Sequence, residues 1–304
     1  MRPATTLGLY AGCLAAVLGG ALGLGRLVGP VVDDTAATSP AGHQDAMAGP
    51  GHDDAHGGSH DADAALPGLA VSDAGYTLRL GAVSAAAGPS VPLTFVVDRA
   101  DGSPLTSYVE THTKELHLVV VRRDLTTFQH VHPTRAADGT WSVPVDLTAP
   151  GSYRVLADFQ PRGLDRSLTL GADLAVDGDV VTDPLPVPAT TADAGEGYRV
   201  ALAGTPRAGR ETELTMTGTQ DGSAVTDLQP YLGAFGHLVA LRTGDLAYLH
   251  VHPSGDHDVA EGSTGGPDVA FRTTFPTAGT YRLFLDVKVS GAVRTAAFTV
   301  EVPR

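Results

Sequence analysis

Cysteine is almost absent: the 304-residue chain has one, Cys13, inside its only long apolar stretch. That excludes a disulfide framework, a Cys-based zinc finger, a thiolate nucleophile and an iron–sulfur cluster from the folded part. A blue-copper electron-transfer centre, which needs a Cys thiolate, is excluded as well. Basic charge is scarce too. The 20 Lys and Arg, of which only Lys114 and Lys288 are lysines, stand against 34 Asp and Glu for a net charge of −14. The basic footprint that a nucleic-acid partner requires is therefore missing. Aromatic residues make up 6% and charged residues 18%, whereas Gly (37) and Pro (21) are plentiful and 42% of the chain is hydrophobic. This balance argues against wholesale disorder and favours short strands joined by turns over long charged helices.

The apolar stretch runs from Leu7 to Val28, is broken only by Arg26 and has Arg2 ahead of it. A bilayer span needs about 20 apolar residues, and the run reaches that length with Arg26 at its outer edge. A cleavable signal needs a shorter apolar region and a small-x-small site, but here Gly19, Gly20, Ala21 and Gly23 are spread along the segment. Residues 1–30 are thus expected to form a hydrophobic helix that anchors the protein in the membrane through residues 7–28; the alternative is a signal peptide and a secreted product. Both place the remainder outside the cytoplasm. Residues 31–67 are rich in Ala, Gly, Asp and His without strand or helix periodicity, the pattern of a disordered tether. His43, His52, His56 and His60 lie there as weak sites for Cu(II), Zn(II) or Ni(II), or as incidental residues of an acidic, solubilising linker.

Comparison of the chain with itself shows a duplication. Glu115 to Pro133 reads ELHLVVVRRDLTTFQHVHP and Phe235 to Pro253 reads FGHLVALRTGDLAYLHVHP. His237, His250 and His252 each stand 120 residues after His117, His130 and His132. Downstream, Pro150-Gly-Ser-Tyr-Arg154 answers Ala278-Gly-Thr-Tyr-Arg282 at a separation of 128, so the second copy has a longer loop between Ser254 and Asp268. The expected organisation is one domain over 68–178, a Pro-rich linker over 179–191 and a second domain over 192–304. Each copy reads as short Val-, Leu-, Tyr- and Thr-rich runs punctuated by Gly, Pro, Asp or Ser, the pattern of an all-β sandwich of about seven strands. Tyr153 and Tyr281, after their Gly-Ser and Gly-Thr turns, have the placement of a tyrosine corner.

The histidines carry the chemistry. In each copy one His lies on a strand and a His-Val-His on the next. Side chains alternate along a strand, so His130 and His132 point the same way about 6.6 Å apart. With Arg123–Thr126 as the hairpin loop, His132 falls opposite His117, and cross-strand Cβ atoms are about 5 Å apart. Three imidazoles so placed can converge on one ion at about 2.0–2.1 Å, leaving an open position suited to Cu(II) or Zn(II). The candidate ligands are therefore His117, His130 and His132, and His237, His250 and His252. Asp158 and Asp286, at matching positions, and His112 and His257, which have no counterparts, are candidates for a fourth ligand. Cu(I) prefers sulfur, and Met216 is the only methionine in the two copies. The competing reading is a structural network of histidines and backbone at the sandwich edge.

The segments YLGAFGHLVALRTGDLAYLHVHP (231–253) and YRLFLDVKVSGAVRTAAFTVEV (281–302) resemble a group of secreted or membrane-anchored bacterial, largely actinobacterial, proteins. These carry immunoglobulin-like or cupredoxin-like domains and are often described as heavy-metal-associated or uncharacterised. The resemblance implies copper or other heavy-metal handling in the cell envelope by His237, His250 and His252 and, through the duplication, by His117, His130 and His132. The chain lacks the Cys and Met ligands of a redox-active cupredoxin. The expectation is an extracytoplasmic metal-binding protein that buffers or delivers copper or zinc. The alternatives are a structural or adhesion module of the envelope with structural histidines, and a metal-dependent hydrolase or oxidase. Against catalysis, no duplicated Glu or Asp stands out as a general base. A metal ion and, through the N-terminal helix, the membrane are the expected partners; the sequence names no protein partner.

Overall fold

A computed structural model of the chain describes residues 66–254 and 259–304, the side chains of His250 and His252 excepted. The expected membrane helix (7–28), the tether up to residue 65 with His43, His52, His56 and His60, and His257 lie outside the described residues. No helix among the described residues is long and apolar enough to cross a membrane.

The first copy is built on seven main strands: β1 (Tyr76–Leu80), β2 (Val91–Arg99), β3 (Leu116–Arg122), β4 (Phe128–Val131), β5 (Trp141–Val145), β6 (Gly151–Pro161) and β7 (Leu168–Asp177). Period-two patterning makes them strands: in β2, Leu93, Phe95 and Val97 are buried while Pro92 and Thr94 face solvent. One sheet runs β1–β2–β5, flanked by the short strands Ser72–Asp73 and Thr134–Arg135. The other runs β7–β6–β3–β4, with Ser84–Ala86 beyond β7. The second copy repeats the plan as β8 (Tyr198–Ala203), β9 (Glu211–Gln220), β10 (His237–Arg242), β11 (Tyr248–Pro253), β12 (Asp268–Thr274), β13 (Gly279–Val289) and β14 (Ala292–Val302). There β11 runs on to Pro253 and pairs with β12, which joins the two layers into one continuous sheet. Both copies are immunoglobulin-like sandwiches in tandem. The tyrosine corners form as expected: Tyr153 donates to the Ala149 carbonyl at 2.7 Å and Tyr281 to that of Thr277 at 3.0 Å.

Each sandwich has its own apolar core, the first centred on Phe95, Trp141, Tyr153 and Phe159, the second on Tyr198, Phe271, Phe275 and Phe298. Strand β3 departs from half-burial, because all seven of its residues are buried. Leu116, Leu118 and Val120 point into the first core. Val119 and Val121, on the opposite face, join a third cluster with Leu125, Leu156, Val239, Leu241, Leu246, Tyr248 and Phe284. This cluster is a seam between the copies, made by the outer faces of β3 and β6 against those of β10, β11 and β13. Phe128 of β4 stacks on Phe284 of β13 with ring centroids 4.0 Å apart and planes 3° from parallel. Reciprocally, Tyr248 of β11, the counterpart of Phe128, reaches β6 and donates its hydroxyl to Asp158 at 3.3 Å. Contacts that cross in both directions between equivalent strands give the seam an approximate two-fold relation. The segment entering the first copy is fixed at the same seam. The Pro67 carbonyl accepts from the Tyr248 amide at 2.9 Å, and the buried Arg154 guanidinium donates to the carbonyls of Gly68 (2.8 Å) and Leu69 (2.7 Å).

Phe284 belongs to the seam and to neither sandwich core. Phe284→Ala is expected to cost about 3–5 kcal/mol, the usual range for a buried Phe, and to split calorimetric unfolding into two transitions. A single transition at the wild-type temperature would show that the seam does not couple the copies.

Candidate metal centre

Strands β3 and β4 pair with Val119 opposite His130 and Leu118 opposite Val131, the register expected from the hairpin. His117, Val119 and His130 consequently share the outer face of their sheet, as does His132, two residues beyond His130. That face is the seam, so the histidines lie between the two copies rather than at the edge of one. Of His117, only 2% of the surface is exposed. The ligand nitrogens of His117, His130 and His132 all lie within 4.8 Å of one another. His117 Nδ1 is 3.3 Å from His130 Nε2 and 3.2 Å from His132 Nε2. A tetrahedral ion bound at roughly 2.0–2.1 Å spaces its nitrogen ligands roughly 3.3–3.4 Å apart.

The nitrogens turned away from the cluster determine the tautomers. His117 Nε2 lies 3.0 Å from the Thr111 carbonyl, an acceptor only, and so carries the proton. His130 Nδ1 donates to the Asp286 carboxylate of the second copy at 3.0 Å, both side chains being 4% exposed. The Thr295 hydroxyl holds the other Asp286 oxygen at 2.6 Å. His117 Nδ1 faces His130 Nε2 at 3.3 Å and His132 Nε2 at 3.2 Å, so the three rings turn one nitrogen each toward a common point. Burial first, then the neighbouring His130 and His117, pushes the His132 pKa down to about 2, which keeps its ring neutral. The group fits a divalent ion of the Zn(II) or Cu(II) type: three imidazoles, one oriented by a carbonyl and one by a carboxylate.

The second copy repeats the support. His237 Nε2 donates to the Tyr231 carbonyl at 2.7 Å, and Tyr231 stands 120 residues after Thr111. Burial pushes the His237 pKa down to about 3. On β11 the backbone of His250 lies opposite Val239, the same register as His130 opposite Val119. Asp158 lies across from His117 and Asp286 across from His237. As fourth ligands both are displaced: Asp286 sits on the far side of the His130 ring, and Asp158 meets Tyr248 at 3.3 Å and Thr169 at 3.3 Å. His112 comes inward, its ring centroid 6.0 Å from that of His117 and 5.4 Å from that of His237. Met216 is a core residue of the second sandwich.

The turn that delivers His112 is strained. His112 and Thr113 have φ of +49° and +64°, where the second copy has Leu232 at +55° and Gly233 at +78°. A β-branched residue in the left-handed region is an outlier, and such strain concentrates at ligand-holding positions.

The match to known families is to a domain of unknown function, DUF8832, found twice, over residues 70–176 and 190–304. The chain belongs to the DUF8832 family. The two matched stretches are the two tandem sandwiches, and the family description names no metal. No curated protein matches the chain. Among solved structures, this DUF8832 chain is similar to the Escherichia coli adhesin FdeC (16% identity, 79% of this chain and 66% of that one, TM-score 0.23). It is also similar to domains 4–9 of the surface-layer protein SbsC (15%, 75% and 31%, TM-score 0.22). A third is InvD of Yersinia pseudotuberculosis (14%, 77% and 59%, TM-score 0.25). The chain spans less than two thirds of the length of each, and nothing about function follows from likenesses of this size.

The sequence reading of this DUF8832 chain missed the carbonyls of Thr111 and Tyr231 and the orienting role of Asp286. A signal for the first was present: each residue stands six positions before its histidine. Thr113→Gly, which copies the second domain's residue, is expected to raise thermal stability by about 1 kcal/mol, the relieved strain exceeding the added chain entropy. A fall in stability would show that the Thr113 side chain contributes contacts that outweigh its backbone strain.

Proposed function

We propose that this chain is an extracytoplasmic metal-binding protein that holds Cu(II) or Zn(II) at its duplicated histidine sites and buffers the ion or passes it on. The observation that carries this reading is the convergence of one nitrogen each from His117, His130 and His132 to within 4.8 Å of one another, with the His117 and His130 rings each fixed from behind by an acceptor. The apolar run over residues 7–28 supports a location outside the cytoplasm. The reading is of a binder rather than a catalyst, because Asp158 and Asp286, the carboxylates on the histidine faces, already hold hydroxyls or an imidazole. A second reading, a structural or adhesion module of the envelope, is favoured by the His130–Asp286 contact, which by itself ties one copy to the other.

The test uses the full chain with His43, His52, His56 and His60 replaced by Ser, titrated with Zn(II) and Cu(II). Tight binding is expected, with a rise in melting temperature of about 5–10 °C at a free ion concentration a hundredfold above Kd. His130→Ala should abolish that rise for the first site. If no ion binds and no shift occurs, the metal reading fails and the structural one stands. Asp286→Asn keeps the shape of the carboxylate but weakens its hold on His130 Nδ1. It should lower affinity about 10–100-fold, as loss of such an orienting partner does; calorimetric titration measures it.

A further inference from the structure

We infer that the seam holds a second metal ion whose ligands come from both copies, with His112 of the first completing the site built on His237 of the second. This rests on the metal-binding reading above and extends it to a centre that neither copy forms alone. Three observations point to it. The His112 and His237 rings are 5.4 Å apart at 80°, within the 5.0–5.4 Å range found inside the His117, His130 and His132 group. His112 lies nearer to His237 than to His117, its own copy's histidine at 6.0 Å. His237 donates from Nε2 to the Tyr231 carbonyl, which leaves Nδ1 as its ligand nitrogen, the same assignment as in His117.

Position and strain support the same conclusion. His112 sits on a turn held at φ +49° and followed by a threonine at +64°, where the second copy has Leu232 at +55° and Gly233 at +78°. The duplication supplies no counterpart for His112, since Leu232 stands there. A symmetric pair of sites would need either both residues or neither. The first copy therefore donates a ligand across the seam and receives none from that position in return. It receives instead the Asp286 carboxylate behind His130. The first ion, on His117, His130 and His132, and the second, on His237 and His112, are neighbours, because the His130 and His237 rings are 6.4 Å apart.

The experiment compares the full chain, its four tether histidines replaced by Ser, with the same chain carrying His112→Asn. Asparagine tolerates the left-handed backbone at this position, and equal melting of the two metal-free proteins verifies that the fold is retained. Zn(II) titrated against a competing chelator should show two tight equivalents in the parent. The variant should keep one, the other weakened by at least about 100-fold, the upper range for losing a group that merely orients a ligand. Loaded with two equivalents of Cu(II), the parent should give the dipolar-broadened resonance of two nearby spins, and the variant the spectrum of an isolated ion. Two equivalents of unchanged affinity in the variant overturn the inference, as does a single equivalent in the parent; metal binding stands in both cases. If the parent binds no ion at all, the metal-binding reading falls, and this inference with it.

Discussion

The outer faces of β3 and β10 cannot be left to water. Each sandwich buries one face of these strands in its own core, yet Val119, Val121, Val239 and Leu241 make the other face apolar as well. A sheet that is hydrophobic on both sides has to be covered on both, and here each copy covers the other. At about 1.5–3 kcal/mol for each fully buried aliphatic or aromatic side chain, the seam contributes on the scale of a domain's net stability. The stacked Phe128 and Phe284 and the Tyr248–Asp158 contact add direction to what area alone leaves unspecified.

The histidines depend on that burial. In water an imidazole on a strand would titrate near neutrality and point wherever its rotamers allowed. Within the seam, burial keeps His132 and His237 neutral. The carbonyls of Thr111 and Tyr231 hold His117 and His237 from within their own copies, and the carboxylate comes from across the seam. The Asp286 carboxylate can reach His130 only from the second copy. The chemistry of the centre and the packing of the seam are therefore one arrangement, and Thr111, Tyr231 and Asp286 belong to it as fully as the rings do.

Much of this was legible in the chain. The alternation in strands such as β2, the duplicated His and His-Val-His, and the Tyr153 and Tyr281 corners led to tandem sandwiches, and the hairpin register placed His130 and His132 beside His117. The seam was not foreseen, although LHLVVVR carries its sign: hydrophobic residues at consecutive positions of β3, where a half-exposed strand would alternate. What pattern reasoning could not supply is the partner of the second face, since that depends on how two folded units meet. The same holds for Asp286 and His112. Their positions relative to their own copies suggested ligands of their own sites, whereas docking carries each towards the other copy.

The crossing of equivalent contacts at the seam has the form of an isologous dimer interface, contained here within one polypeptide. In a dimer of identical chains every substitution is made twice, so a residue suited to only one side of the axis burdens the other. Covalent linkage removes that restriction. Position 112 can carry a histidine while its counterpart 232 is leucine, and an aromatic pair at Phe128 and Phe284 can be answered by Tyr248 and Leu156. Fusion also makes the meeting of the halves intramolecular, so their association is governed by effective concentration rather than by protein abundance. The two halves stay assembled at any dilution, and each is able to diverge without losing its partner.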